Sequence, residues 1–159
     1  MRSRYIDGVS IRQLRNGDTE TVAVVFARLG DESRRTRFGG PKSRLSELEL
    51  TALARVDGRH HVLVAYVDGD PQPVGLARLA RQGPSAEVAF EVADEHQGRK
   101  IGSALMRVLA ADARAAGIVE LHATVTGNNR RAISLLSRSA RRLSGAWHGG
   151  QCELVAALD

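Results

Sequence analysis

The stretch that decides the fold is residues 86–116, AEVAFEVADEHQGRKIGSALMRVLAADARAA. Its first residues alternate with the period of two that a pleated strand imposes, Val88 and Phe90 on one face, Glu87 and Glu91 on the other. A polar turn follows, and beyond it apolar residues recur at helical spacing. The stretch therefore predicts a strand, a turn and a helix in succession.

The junction between this strand and this helix favours a bound anion. Gly98, Gly102 and Ser103 are small, and small residues let a ligand approach the backbone closely. The first turn of a helix also offers unpaired N–H groups and the positive end of its dipole, which suit a pyrophosphate. A nucleotide or coenzyme site is the leading interpretation, and a capped helix that binds nothing is the alternative.

Residues 97–104, Gln-Gly-Arg-Lys-Ile-Gly-Ser-Ala, resemble the Gln/Arg-x-x-Gly-x-Gly/Ala segment of the GNAT family of N-acetyltransferases. In that family this loop and helix start hold the pyrophosphate of acetyl-CoA. Lys100 stands where the first motif glycine is usual, and we expect helical backbone there, with the lysine adding a cation beside the phosphate. The resemblance implies the following coenzyme-binding residues: Val92, Ala93, Asp94, Gln97, Gly98, Arg99, Lys100, Ile101, Gly102, Ser103 and Ala104.

A second segment, residues 129–136, resembles the Asn-x-x-Ala-x-x-Leu-Tyr segment of the same family. The resemblance implies that Asn129 and Ala132 help to place the pantetheine arm of the coenzyme. Leu136 occupies the position of the tyrosine that protonates the departing thiolate in relatives. A leucine has no proton to give, so the usual general acid is missing.

The front half of the chain resembles one branch of the family, the catalytic domains of Pat-type protein lysine acetyltransferases. The similarity rests on residues 29–38, 46–50, 56–58 and 59–65, and on the central strand. It implies a protein lysine as acceptor and a general base at Glu87. Such domains often lack the tyrosine as well. We expect residues 1–159 to be a single catalytic domain without the regulatory domains that are usually fused to this branch.

Acetyl transfer from a thioester to an amine sets chemical requirements for the site. An alkyl amine has a pKa of about 10.4, so a base must remove a proton before attack. Glu87 has the family position of that base, and Glu91 is expected to assist through water or to bind a cationic substrate. For both carboxylates the plain alternative is a solvent-facing strand residue.

Composition excludes several other classes of protein. The chain has 159 residues, 43% of them hydrophobic, and a net charge of +5, but only two of its 23 basic residues are lysines. Only 4% of residues are aromatic, and a nucleic-acid reader is not expected. The arginines form local clusters, Arg130 and Arg131 among them, and we interpret most arginines as solvated surface. One cysteine, Cys152, and no metal-ligand spacing argue against a disulfide or a metal site. No apolar run is long enough to span a membrane, and a cytoplasmic monomer or homodimer is expected.

The remaining periodicities predict an α+β fold, a mixed, mostly antiparallel seven-stranded sheet flanked by about four helices. Strands are expected to begin near residues 9, 60, 73, 86, 119, 142 and 152. Helices are expected at residues 21–29, 46–54, 98–116 and 129–140, and residues 30–41 are expected to form a surface loop.

These observations leave two main functional hypotheses. The first is an acetyl-CoA-dependent N-acetyltransferase that acts on a protein lysine, with small-molecule amines as alternative acceptors. The second is a catalytically silent acyl-CoA-binding regulatory module, which Lys100 and Leu136 would both permit.

Overall fold

A computed structural model describes residues 3–98, 100–126 and 129–158. The strands of these residues are β1 (Arg4–Ile6), β2 (Val9–Gln13), β3 (His60–Val67), β4 (Gly75–Gln82), β5 (Ser85–Val92), β6 (Glu120–Thr126), β7 (Arg142–His148) and β8 (Gln151–Ala157). The α-helices are α1 (Thr19–Ala27), α2 (Asp31–Phe38), α3 (Glu47–Leu53), α4 (Ile101–Ala115) and α5 (Arg130–Ser139). A short 3₁₀ turn, Asp94–His96, precedes α4.

The described strands form one sheet in the order β1-β2-β3-β4-β5-β6-β8-β7. Every neighbouring pair is antiparallel except β5 and β6, which are parallel. The predicted class, a mixed and mostly antiparallel sheet with flanking helices, is therefore confirmed. The described residues contain eight strands and five α-helices, one more of each than the sequence indicated.

The additional strand comes from a hairpin at the start of the chain. Asp7 and Gly8 both have positive φ, 51° and 83°, and they join β1 to β2. An Asp-Gly pair between alternating residues is the usual sequence signal for such a two-residue turn. The first strand was expected to begin near residue 9, and this signal was not used.

The additional helix is α2, which corrects the prediction of a surface loop over residues 30–41. None of its side chains is buried, so it has no apolar stripe from which a helix could be recognised. Its ends carry the remaining signals. Asp31 and Glu32 lie in the first turn, where negative charge is favourable, and Gly39 ends the helix in a left-handed conformation with φ 77°.

Helices cover the two faces of the sheet unequally. Helix α4 buries one side along most of its length, with Leu105, Met106 and Leu109 in the larger hydrophobic cluster. Helices α1 and α3 cover the opposite face of β2 to β4, where Val22, Val25 and Ala54 are buried. On that second face, no described helix packs over β7 and β8. Among the described residues, no helix combines the length and the apolar character needed to cross a membrane.

Candidate active site

Strands β5 and β6 separate after a short parallel pairing. The register joins Ser85 to Glu120, Ala86 to Leu121 and Glu87 to His122. Beyond Glu87, β5 continues to Val92 paired only with β4 among the described strands. The backbone groups of residues 88–92 that face β6 are therefore left without a strand partner, and buried backbone groups require one. An extended ligand can supply the missing hydrogen bonds as an added strand does.

The gap between β5 and β6 opens into a cleft of about 610 Å³. Its walls are the end of β5, helix α2, the start of α4 and helix α5. Helix α2 bridges the gap, because Thr126 Oγ1 on β6 donates to the Thr36 carbonyl at 3.4 Å and Arg37 Nε donates to Glu91 Oε1 on β5 at 2.9 Å. The volume suits a ligand of coenzyme size.

The turn that leads into α4 contains two residues with positive φ, Gly98 at 81° and Lys100 at 65°. Lys100 is the N-cap of α4 and has left-handed, not right-handed helical, backbone. The expectation of helical backbone at Lys100 was therefore wrong. A non-glycine residue adopts this conformation at a cost of about 1–2 kcal/mol, because its Cβ crowds the backbone. The Lys100 side chain is exposed and lines the cleft, so its cation is available to an anion.

Gln97 holds this turn against both walls of the cleft. Its Nε2 donates to Ser33 Oγ on α2 at 3.0 Å and to the Val92 carbonyl at 3.2 Å. Its Oε1 accepts a hydrogen bond from Arg131 Nη1 on α5. Ser33 Oγ in turn donates to Asp94 Oδ1 at 2.6 Å. Both ends of the Gln97 amide are engaged, so this residue shapes the cleft by joining its walls.

Gly102 lies in the first turn of α4, where α5 packs against it. A Cβ placed at Gly102 would lie 3.2 Å from Leu135 Cδ1, closer than an ordinary contact. Leu135 would have to move to admit any side chain. Glycine at this position therefore permits the close packing of α4 and α5, in addition to the approach of a ligand to the helix start.

The cleft is lined by cations from three of its walls. They are Arg37, Lys100, Arg130, Arg131 and Arg138. Arg138 Nη1 also donates to Ser103 Oγ at 3.2 Å, so the α5 arginines reach the start of α4. Arg130 and Arg131 are exposed, as was expected of most arginines, and both also line the cleft. Together with the helix dipole, these charges favour a polyanion.

Most of the predicted coenzyme-binding residues converge on this cleft. Those that line it are Val92, Gln97, Gly98, Lys100, Ile101, Gly102, Ser103 and Asn129. Ala93 and Ala104 are buried in the core beneath, Ala132 packs against the same core, and Asp94 accepts the Ser33 hydrogen bond. Arg99 lies outside the described residues.

Helix α5 explains the second family segment in physical terms. Asn129 is its N-cap, and Asn129 Oδ1 accepts a hydrogen bond from the Ala132 N–H at 3.2 Å. The spacing Asn-x-x-Ala is thus that of an N-cap and the third residue of the helix. Leu136 is only 1% exposed and packs in the core, whereas Ser134 and Leu135 line the cleft. Position 136 supplies no proton donor to the cleft.

Glu91 is a buried carboxylate held by two arginines. Its Oε1 accepts from Arg37 Nε at 2.9 Å and from Arg78 Nη1 at 2.7 Å, and its side chain is 4% exposed. Burial raises the pKa of Glu91. The charges and hydrogen bonds of Arg78 and Arg37 lower it by more than burial raises it, so the pKa lies below its ordinary value. A carboxylate in this state accepts protons poorly. Its Oε2 has no hydrogen-bond partner among the described residues.

Glu87 occupies a different part of the same strand. Its register partners are Ala80 on β4 and His122 on β6, at the point where β5 and β6 last pair. Four residues along a strand cover about 13 Å, so Glu87 and Glu91 are well separated even though they share a face. Glu91 lines the cleft. Glu87 is exposed and is not among the residues that line the cleft.

A cluster of titratable groups lies at the 3₁₀ turn that precedes α4. Asp70, Glu95 and His96 offer atoms within 4.8 Å of one another, a spacing compatible with metal ligands. However, Arg28 Nη2 already donates to Asp70 Oδ2 at 2.6 Å and to Glu95 Oε1. His96 Nε2 also lies 2.9 Å from Asp70 Oδ2. Arg28 first, and then the Gln72 N–H, hold the pKa of Asp70 well below its usual range. We interpret this cluster as an ion-pair network between α1 and the turn.

The fold, the divergence of β5 and β6 and the basic cleft are those of a coenzyme-dependent acyltransferase. The sequence matches the Acetyltransferase (GNAT) family over residues 27–140. The chain therefore belongs to the GNAT family, N-acetyltransferases whose acetyl donor is acetyl-CoA.

Its relatives include Pat enzymes, as the sequence analysis indicated. The chain is 32% identical over 132 residues to acetyltransferase Pat of Mycolicibacterium smegmatis, a match that covers 80% of this chain and 39% of that protein. The chain thus spans about two fifths of the length of that relative. It is 31% identical over 127 residues to acetyltransferase PA5475 of Pseudomonas aeruginosa, covering 77% and 68% of the two chains. The solved GNAT domain of S. lividans PAT superposes with a TM-score of 0.83 at 28% identity, over 94% of this chain and 90% of that one.

Proposed function

We propose that this enzyme transfers the acetyl group of acetyl-CoA directly to a primary amine, the side chain of a protein lysine, with Glu87 as general base. The observation that carries the proposal is the position of Glu87. It is an exposed carboxylate at the point where β5 and β6 separate. An amine with a pKa of about 10.4 must lose a proton before it can attack, and Glu87 can accept that proton.

The cleft supports an assignment of the coenzyme's parts. The pyrophosphate is proposed to lie against the turn and the first turn of α4, where Lys100 and Ser103 line the cleft. The pantetheine arm is proposed to run beside Val92 and to bond the β6-facing backbone groups of β5. The same strand then offers a backbone N–H to the oxyanion that forms when the amine attacks the thioester.

The acceptor is proposed to approach on the sheet face that carries Glu87. The β-sheet register places Glu120, Thr124 and Glu153 on that face together with Glu87. Thr124 and Glu153 are exposed, and α5 packs on the opposite side of β8. Three carboxylates on an open surface favour a cationic acceptor such as a lysine in a basic segment.

Glu91 is proposed to position α2 and not to serve as a base. Its lowered pKa and its two arginine partners keep it ionised and engaged. The residues proposed to have a chemical role are therefore one exposed carboxylate, Glu87, and the cations of the cleft that orient the donor.

A titration and a turnover assay test the proposal together. Binding of acetyl-CoA is measured by calorimetry, and release of free thiol is then measured with lysine-containing peptides, polyamines and aminoglycosides. Tight binding with turnover on lysine peptides is the expected result. Turnover on small amines alone would reassign the acceptor. Tight binding without turnover on any amine would identify a silent acyl-CoA-binding module instead.

A further inference from the structure

We propose that Lys100 is a site of self-acetylation, and that acetylation of its Nζ weakens the binding of acetyl-CoA, so that the enzyme restrains its own activity. The inference rests on the proposed function, since it requires a lysine acetyltransferase. It adds a modification site and a regulatory consequence within the same cleft.

The first observation is the scarcity of free lysine in this chain. Only Lys42 and Lys100 are lysines among 23 basic residues. Lys42 Nζ forms an ion pair with Glu49 Oε2, and this contact, with the Ser46 N–H, lowers the pKa of Glu49 to about 2. Lys100 is exposed and has no ion pair or hydrogen bond from its side chain to any other described residue. Of the two lysines, Lys100 is the more exposed, and its amine is the one without an ion-pair partner among the described residues.

The second observation is the backbone conformation at Lys100. The residue has φ 65° and ψ 15°, a left-handed conformation that glycine adopts without strain and lysine does not. A side chain retained against such a backbone penalty marks a candidate functional position. Arginine, which provides nearly all other positive charge in this chain, would serve equally well as a plain phosphate contact. Unlike arginine, lysine can be acetylated.

The third observation is the position of Lys100 in the cleft. Lys100 lines the cleft between Gly98 and Ile101, at the end proposed for the pyrophosphate. Acetylation converts its ammonium group to a neutral amide and removes one charge from that anion site. The arginines of α5 remain, so binding is weakened and not abolished.

The chemistry is the enzyme's own reaction. The neutral Nζ attacks the thioester carbonyl, a C–N bond forms, the C–S bond breaks, and coenzyme A departs as the thiol. The amine proton passes to the base. Lys100 lies at the phosphate end of the cleft, and the five steps along the strand from Glu87 to Val92 alone cover about 16 Å. A coenzyme bound in the same cleft holds its acetyl group at the other end, so the transfer takes place between two molecules.

The modification is tested by mixing two forms of the full chain. Glu87→Gln protein labelled with ¹⁵N is incubated with acetyl-CoA, with and without unlabelled wild type, and acetylation is mapped by mass spectrometry. Acetylation of Lys100 in the labelled chain only when wild type is present is expected, with Lys42 modified far less. If lysine peptides are acetylated in the same tube while Lys100 is not, the inference is overturned and the proposed function stands. If neither peptides nor Lys100 are acetylated, both are overturned.

The proposed effect of acetylation on coenzyme binding is tested separately, by measuring affinity and not activity. Lys100→Gln mimics the neutral acetylated side chain, and Lys100→Arg keeps the charge, and both retain a side chain at the left-handed position. Coenzyme A is expected to bind the Gln variant roughly 10- to 100-fold more weakly than wild type, and the Arg variant within about threefold. Thermal melts should agree between the two variants. Equal affinity of the two variants would overturn the regulatory half of the inference.

Discussion

Arg37 Nε donates to Glu91 Oε1 at 2.9 Å and thereby ties helix α2 to the central strand across the wall of the cleft. Glu91 also accepts from Arg78 Nη1 at 2.7 Å. Because α2 has no buried side chain, its position depends on such polar links together with the edge-to-face contact of Phe38 with Phe26. The carboxylate of Glu91 is therefore a structural element of the cleft, placed between its wall and the core of the sheet.

Replacing Glu91 should destabilise the whole fold. In Glu91→Gln, Arg78 is left buried without its countercharge, and we expect the free energy of unfolding to fall by about 3–5 kcal/mol. Urea denaturation followed by circular dichroism measures this change. Glu153→Gln, which alters an exposed glutamate on β8, should stay within about 0.5 kcal/mol of wild type. If both variants lose equally little free energy of unfolding, the ion pairs of Glu91 with Arg37 and Arg78 do not stabilise the fold.

The effect of Glu91 should depend on pH with a definite sign. Its pKa is lowered in the folded state, so its contribution to stability is present above the unfolded value of about 4.3. The contribution is lost as the pH falls through the lower folded pKa. The difference in free energy of unfolding between wild type and Glu91→Gln should thus have its full size at pH 7 and become smaller toward pH 2. A gap that widens on acidification would contradict this assignment.

Lys100→Gly should stabilise the enzyme, because glycine adopts φ 65° without the strain that a Cβ imposes. A gain of about 1 kcal/mol is expected, which raises the melting temperature by about 2–4 °C in a chain of this size. Lys100→Ala keeps the strain and loses the charge, so it serves as the control and should not melt higher. Both variants should bind coenzyme A less tightly than wild type if the cation contacts phosphate. No change in melting temperature for the glycine variant would show that the turn relaxes around lysine.

Gly102 is expected to resist substitution for two separable reasons. Gly102→Ala brings a Cβ within 3.2 Å of Leu135 Cδ1, and the shift that this forces on Leu135 should offset the roughly 1 kcal/mol that alanine gains over glycine inside a helix, so we expect no net stabilisation. Adding Leu135→Ala should relieve the clash, so the double variant should be less destabilised than the sum of the single variants. Gly102→Glu should abolish binding of acetyl-CoA, because a bulky anion then occupies the proposed phosphate site. Unchanged affinity in a titration of that variant would refute the assignment of the pyrophosphate.

The sequence indicated most of the fold, because most of its strands and its long helix α4 bury an apolar face. Helix α3, for example, carried both halves of its capping box, Ser46 and Glu49, in the sequence. Helix α2 was missed because nothing in it is buried. The backbone at Lys100 was assigned wrongly because a lysine was expected to avoid positive φ, although a glycine is usual at this position of the motif. The arginines of α5 were missed as cleft residues, since only the tertiary packing decides which way a polar helix face points. That residues 1–159 form one catalytic domain, and that Glu87 acts as base, stay predictions.

Leu136→Tyr should not restore a general acid. Leu136 is 1% exposed within the core. A larger side chain with a buried hydroxyl should cost about 1–3 kcal/mol of stability. The rate of thiol release per folded molecule should change little, because a thiol with a pKa near 8.5 is already a fair leaving group. A large rise in turnover would mean that position 136 does reach the thioester.

Glu87→Gln separates chemistry from binding. The glutamine keeps the shape and hydrogen-bonding capacity of the side chain but cannot accept a proton, so turnover should fall by about 10²–10⁴-fold. Affinity for acetyl-CoA should stay the same, since Glu87 lies beyond the described lining of the cleft. Stability should also be nearly unchanged, because the side chain is exposed, and this distinguishes the variant from Glu91→Gln. Thiol release, calorimetry and thermal melts measure the three quantities. Should Glu87→Gln keep full turnover while a folded Glu91→Gln loses it, the base would be Glu91. The open face of the sheet would then not be the route by which the amine is deprotonated.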